Sequence, residues 1–413
     1  MASLDDPELQ SVSSRETRRF QEKKALVLDA ASALINEKGA AGMTLAAVAE
    51  AVGLNTASVT YYFKRRDDLA LACFHRALER IEEMVDVAAA EPTPVLRVRR
   101  YLALNIDLLR RVRSGDARPI TVLSDIRTME DPVRVSLSDR YRTIMRRVRG
   151  YFGPDSDARV KALNVVRTHV LLENVYWLPA WLHRYSSHDF PRVLDRMMEL
   201  FEQGLMPDGA VMPPLAPLDL KEDAQRAAQR AFLLAATRLI NERGYRGASV
   251  ERIASELGVT KGSFYHHLEA KDDLVLACFR RSFDTVTAAQ RAADDAGGSH
   301  AARLMAAVAT LLDIQFSARG PLLRTTALQA LPVEFRSGVI ASSDRMARRF
   351  AGTIIDGISE GSLRAVDPLI ASHMLKPAIN SAYELNRWAR GQDAGQAIRL
   401  YASTMATGLF RDV

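Results

Sequence analysis

The stretch Val-Thr-Lys-Gly-Ser-Phe-Tyr-His-His-Leu, residues 259–268, gathers a cation, a glycine, hydroxyls and two imidazoles, with Lys271 just beyond. Side chains of these types suit the gripping of a polyanion. Lys261 supplies charge, and Gly262 lets the backbone approach closely. Ser263, Tyr265, His266 and His267 offer hydrogen bonds to phosphates or base edges. If the stretch starts a short helix, free amides and the helix dipole add an anion site. Phe264 is expected to face inward. His266 and His267 are neighbours, not i,i+4 partners, so one helix face cannot present both to a metal.

A second stretch, Leu54 to Leu69, aligns with the first without a gap at an offset of 205 residues. Over 36–76 and 241–281 there are 15 identities in 41 positions, which marks a duplication. The tips differ. Thr56 stands for Lys261, Ala57 for Gly262, Thr60 for Tyr265, Tyr61 and Tyr62 for the two histidines, and Arg66 for Lys271. Ser58 matches Ser263, and Lys64, Arg65 and Arg66 follow the helix. The first reader is expected to keep DNA binding with a different sequence preference.

Short helices must hold these residues. Ala25, Leu28, Ala31, Leu34 and Ile35 have helical spacing, and Gly39 closes that helix. Thr44 caps the next one, Gly53 makes a tight turn, and Asn55 or Thr56 caps the reader. In the second copy Ser249 and Thr260 are the caps and Gly258 the turn. Two short helices joined by a glycine turn form the helix-turn-helix pattern. Asp67-Asp68 and Asp272-Asp273 look like acid–base pairs, but each sits where a long helix starts, and carboxylates there favour the dipole.

The order Val259, Thr260, Lys261, Gly262, Ser263, Phe264, Tyr265, His266, His267 with Lys271 resembles the signature of the tetracycline-repressor (TetR) family of bacterial regulators. The resemblance covers about 60 residues of each copy. It implies an all-α chain built from two tandem copies of a helix-turn-helix DNA-binding domain and a helical ligand-binding and dimerisation domain. The implied DNA contacts are Thr44, Thr56, Ser58, Thr60, Tyr61, Tyr62 and Arg66 in copy one. In copy two they are Ser249, Lys261, Gly262, Ser263, Tyr265, His266, His267 and Lys271. The implied activity is transcriptional regulation, as a repressor released by a small apolar effector.

Composition agrees with a cytoplasmic protein. The chain has 413 residues, and its net charge of +6 is shared equally by 15–76 and 221–281, each at +3. No apolar run reaches the roughly 18 residues of a membrane span. Cys73 and Cys278 fill equivalent repeat positions and read as small buried hydrophobes. No zinc-protease, Walker, dinucleotide or nucleophile-elbow motif occurs, so neither enzyme activity, cofactor nor metal is expected.

The repeat divides the chain into a disordered tail (1–14), a first helix-turn-helix domain (15–88) and a helical regulatory domain (89–205). A proline-rich linker (206–221), a second helix-turn-helix domain (222–293) and a second regulatory domain (294–413) follow. Pocket candidates are Met129, His169, Glu173, Trp177 and Trp181 in copy one, and Met305, Gln329, His373, Tyr383 and Trp388 in copy two. The resemblance implies pairing through the last two helices of each copy. Within one chain that gives a pseudo-dimer on an asymmetric double-stranded operator, with pairing between chains as a further possibility. The rival reading is a ligand-sensing or protein-interaction module whose readers are degenerate.

Overall fold

The computed structural model describes residues 7–220, 227–247, 250–256, 258, 271–331 and 333–412. Among them every regular element is helical. The chain forms two compact units. This division does not follow the repeat: the first comprises Met1–Glu83 with Arg111–Tyr141, and the second Met84–Arg110 with Arg142–Val413.

In the first unit, α1 (Pro7–Lys38) leads to α2 (Leu45–Ala51), α3 (Thr56–Tyr62) and α4 (Arg66–Ala89), the last continuing into the second unit. The expected tail is not disordered throughout, because α1 begins at Pro7. Proline is pre-set for a first helical turn, and no glycine or proline interrupts the residues after it. Ala31 and Ile35 are buried as expected, whereas Ala25 is exposed and Val27 takes a core place. Gly39 closes α1 at φ 76°, and Ala40 N–H donates to Asp125 at 2.6 Å. The Asn36 amide donates to the Ile120 carbonyl and accepts from Val122 N–H, both under 3 Å. Copy two repeats this clasp: Asn241 donates to Leu322 O and accepts from Arg324 N–H.

The second unit takes in the end of α4 and most of α5 (Pro94–Ser114), and the end of α6 (Val133–Arg149). It continues through α7 (Ala158–Leu182) and α8 (Phe190–Gln203). Residues 204–220 form no helix, and Leu218 N–H donates to Thr310. Copy two follows with α9 (Ala227–Gly247), broken at Gly244, then α10 (Val250–Glu256), α11 (Lys271–Ala296), α12 (His300–Phe316) and α13 (Val333–Ser359). It closes with α14 (Pro368–Ser381), α15 (Asn386–Arg390) and α16 (Ala394–Ala406). Asp157 and Asp367 cap α7 and α14 alike, each accepting from two backbone amides.

Helices α7 and α8 pack against α14 and α16. The ends of α8 and α16 meet reciprocally. Leu205 N–H donates to Met405 O at 3.1 Å, and Leu409 N–H donates to Phe201 O at 2.6 Å. Both pairs are related by one offset of 204 residues, so residue i meets j and the counterpart of j meets that of i. Gly204 and Gly408 make the approach possible. A Cβ on Gly204 would lie 2.3 Å from Ala406 O, and one on Gly408 2.6 Å from Phe201 O.

Candidate nucleic-acid interface and ligand cavity

In copy one the caps are where the sequence puts them. Thr44 accepts from Ala47 N–H at 3.1 Å. Asn55, not Thr56, caps α3, accepting from Ser58 N–H at 2.7 Å and from the Ser58 hydroxyl at 2.8 Å. Gly53 makes the turn at φ 66°. Val59 and Phe63 hold α3 to the core, with Lys24 Nζ over the Phe63 ring. The opposite face is open: Thr56, Ala57, Thr60 and Tyr61 are exposed, and so are Lys64 and Arg65. Tyr61 is 75% exposed, so its hydroxyl is free for an external partner.

Besides the capping hydroxyls of Thr44 and Ser58, three predicted contacts are partly occupied. The Tyr62 ring is half-buried, 4.9 Å from Phe20 between centroids. Arg66 donates to Asp67 through Nε (2.9 Å) and a terminal nitrogen (2.8 Å). The Thr60 hydroxyl donates back to Thr56 O at 2.8 Å, which leaves its lone pairs available.

In copy two, Ser249, Lys261, Gly262, Ser263, Tyr265, His266 and His267 lie outside the described residues. Lys271 is the first residue of α11. The scaffold around them matches copy one. Ile253 and Ala254 of α10 are buried, and Gly258 turns at φ 64°. Asp272 and Asp273 occupy the first turn of α11, as Asp67 and Asp68 do in α4. Cys73 and Cys278 are free and buried, pointing their thiols at the equivalent carbonyls of Leu28 and Leu233.

The pocket candidates scatter. Met129 is half-buried after a 3-10 turn, and Gln329 belongs to another such turn. Met305 is fully buried, and Trp388 packs on Ala162, Leu163 and Leu400. Trp181 stacks on His373 at 5.2 Å and 7°, and burial pushes the His373 imidazole down to about 4. Trp177 and Tyr383 are half-buried, Trp177 edge-on to Tyr176. His169 hydrogen-bonds Ser381 at 3.0 Å, and burial holds it below its usual range. His169, Glu173 and Glu384 gather closely enough to suggest a cation site. The cation there is Arg324, which donates to Glu173 at 3.3 Å and pairs with Glu384.

A small apolar pocket, partly open to solvent, lies inside copy two. Phe279 and Phe283 of α11, Leu311 of α12, and Met346 and Phe350 of α13 form its apolar wall. Among the described side chains, none of the pocket candidates lines it. Lys376 of α14 does, although lysine is a residue type mostly found exposed.

The family model of bacterial regulatory proteins of the tetR family matches residues 18–73 and again 232–278. The chain carries two tetR-family N-terminal domains. The matches enclose α2, α3 and α10 and end within α4 and α11. The HTH-type transcriptional activator FasR of Mycolicibacterium smegmatis is 34% identical over 82 residues, 20% of this chain and 37% of that protein. The HTH-type transcriptional repressor KstR2 of Rhodococcus jostii is 26% identical over 180 residues, 43% of this chain and 87% of that protein. The chain thus spans little more than a third of the length of FasR. Among solved structures, AibR in complex with isovaleryl coenzyme A and operator DNA is 19% identical with a TM-score of 0.36, covering 43% of this chain and 96% of that one. Among the described residues no helix is long and apolar enough to cross a membrane.

Proposed function

We propose that the chain is a cytoplasmic, sequence-specific regulator of transcription that binds double-stranded DNA through both tetR-family domains. It acts as a repressor released by a small ligand held in a helical regulatory region. The observation that carries this reading is the duplicated helix-turn-helix, with the described copy presenting Thr56, Thr60 and Tyr61 outward beside Lys64 and Arg65. Phosphate contacts from the basic residues would position the reader, and the Tyr61 and Thr60 hydroxyls would meet base edges. Neither step needs an enzyme activity, cofactor or metal.

We further infer that one chain supplies both readers as an intrachain pseudo-dimer. The reciprocal pairing of Leu205 with Met405 and of Leu409 with Phe201 supports it, because this is the pattern a two-fold interface makes. Identical subunits read palindromes, whereas these readers differ at their tips. The operator is therefore asymmetric, and copy one contributes less to it: Tyr62 is half-committed to Phe20, and Arg66 to Asp67. Selecting bound sequences from a random duplex pool and weighing the complex tests this. The expected result is two unlike half-sites saturated by one chain, with a large affinity gap over random DNA at every salt concentration. A palindrome holding two chains would remove the pseudo-dimer, and equal affinity for all duplexes would leave the degenerate-reader alternative standing.

A further inference from the structure

The cavity inside copy two is mostly hydrocarbon, and its polar lining is almost fully employed. Asn380 accepts from Thr325 N–H and the Thr325 hydroxyl, and donates to Leu323 O. The Ser282 hydroxyl donates to Cys278 O and accepts from Leu323 N–H. Lys376 is the exception. Its ammonium has three donors. One goes to the Ser343 hydroxyl at 2.7 Å, and among the described residues no carboxylate lies within ion-pair distance of Nζ. The nearby Asp344 is engaged by Arg184, which donates to both of its oxygens at 2.7–2.8 Å. Among the described residues no carboxylate lines the cavity, so the Lys376 ammonium faces an apolar space with donors to spare.

An ammonium in such surroundings is costly unless an opposite charge joins it. An apolar ligand would fill the space and leave that cost in place. An acid would bring the missing charge and accept the spare donors, and a charge-assisted bond of this kind is stronger than a neutral one. We propose that this cavity binds a small organic acid, its hydrocarbon body among Phe279, Phe283 and Phe350 and its anionic head on Lys376 and Ser343. The occupant is therefore amphipathic, not simply apolar. A carboxylate and a phosphate ester share this head-group chemistry, and the two are told apart by direct comparison of their binding.

Burial first of all, opposed by Asp344 and aided by Arg184, lowers the Lys376 ammonium to about 8. His373, on the same helix, is already neutral across the relevant range. Acid binding should therefore be level from about pH 6, where the ligand carboxyl is fully ionised, to pH 8 and weaken as pH rises past it, because the free lysine must then first take up a proton.

The proposal deepens the effector reading above and rests on it, but binding is measured on the free full-length protein, so it fails or stands apart from DNA release. Calorimetry would compare octanoate with octan-1-ol, 4-phenylbutanoate with 4-phenylbutan-1-ol, and octanoate with octyl phosphate. The expected preference for acid over alcohol is about ten- to hundredfold at pH 7. Lys376→Met, checked for folding by circular dichroism, should bind the alcohols as before and lose that preference and the pH dependence. Ser343→Ala should keep most of both. Octyl phosphate binding more tightly than octanoate would identify the larger head as the natural one. Equal binding of acids and alcohols, a preference surviving in Lys376→Met, or no saturable binding of any probe would overturn the proposal.

Discussion

Gly204→Ala puts a methyl group where the two copies touch. Gly204 sits at φ 68°, ψ −157°, a region open essentially to glycine alone, and forcing alanine into it costs about 1–3 kcal/mol. The added Cβ would also lie 2.3 Å from Ala406 O and 2.5 Å from Thr407 N, which are backbone atoms and cannot swing aside. Opening the seam to make room sacrifices the bonds from Leu205 and Met206 N–H to Met405 and Ala406 O, 2.9–3.1 Å long. At about 1 kcal/mol each, two such losses bring the total to about 3–5 kcal/mol. Gly209→Ala is the control: φ is +74° there too, but nothing lies within 4 Å of the added carbon, so only the backbone cost of about 1–2 kcal/mol applies. Urea unfolding followed by tryptophan fluorescence reads the right region, because Trp177, Trp181 and Trp388 all belong to the unit that holds the seam. The reciprocal Gly408→Ala should cost a similar amount, and the double variant less than the sum, since both open one contact. If Gly204→Ala costs no more than Gly209→Ala, the close reciprocal approach does not exist in solution and the pseudo-dimer loses its support.

Two further outcomes follow from single side chains. Lys376 has a lowered folded pKa of about 8 against its ordinary 10.5, so between those values the unfolded chain binds more protons than the folded one and stability rises with pH. Thermal melts at pH 7 and pH 10 should show a gain of about 1–3 kcal/mol for the wild type and none for Lys376→Met, which should also be the more stable protein at pH 7; a wild type that loses stability over that interval would contradict the burial of the ammonium. Tyr61→Ala should weaken operator binding by about 1 kcal/mol with little change in melting temperature, whereas Tyr62→Ala should lower both, because the Tyr62 ring is half-buried 4.9 Å from Phe20 while Tyr61 meets Phe20 edge-on at 6.0 Å and is 75% exposed; equal behaviour of the two variants in both assays would show that the exposed and packed rings are not distinct.

The helix-turn-helix was legible because its physics is local. Gly39, Gly53 and Gly258 take positive φ, and Thr44 and the stretch 55–58 supply caps within three residues of the amides they serve. The same locality made the duplication readable, down to the matched cysteine thiols on Leu28 and Leu233 carbonyls. The cavity was not legible, since its wall comes from α11, α12, α13 and α14, and nothing in a sequence states which of their faces converge. Large side chains such as Trp181, Trp388 and Met305 pack among their neighbours. A weaker signal did exist. Between Asp367 and Glu384, Lys376 is the one Asp, Glu, Lys or Arg residue in an otherwise apolar or neutral run, and a helix apolar all round is a buried helix. A lysine in its middle had to be paired, solvated or functional. The seam shows the same division: Gly-Leu recurs at 204–205 and 408–409, but its reciprocity is visible only in the hydrogen bonds.

Fusion of two copies changes what each part is free to do. In a symmetric dimer one sequence must serve both halves, so a substitution in a reader alters both half-sites at once. In a single chain the constraint falls only on the surfaces that must still fit each other. The residues follow that logic. At the seam, Gly204 and Gly408 keep the backbone approach and Leu205 and Leu409 keep the matching donors. At the reading tips, Thr56, Thr60, Tyr61 and Tyr62 have parted from Lys261, Tyr265, His266 and His267. The inter-copy charges are unlike too: Glu173 of copy one meets Arg324 of copy two, and Arg184 of copy one meets Asp344 of copy two, beside the lysine that faces the cavity. An acid bound at Lys376 would therefore sit one residue from an ion pair that ties the copies together, and against α11, the helix that begins where the second reader ends. On the proposed reading, ligand and operator each break the symmetry of the fold in the same copy, which makes copy two the half that both reads most and senses.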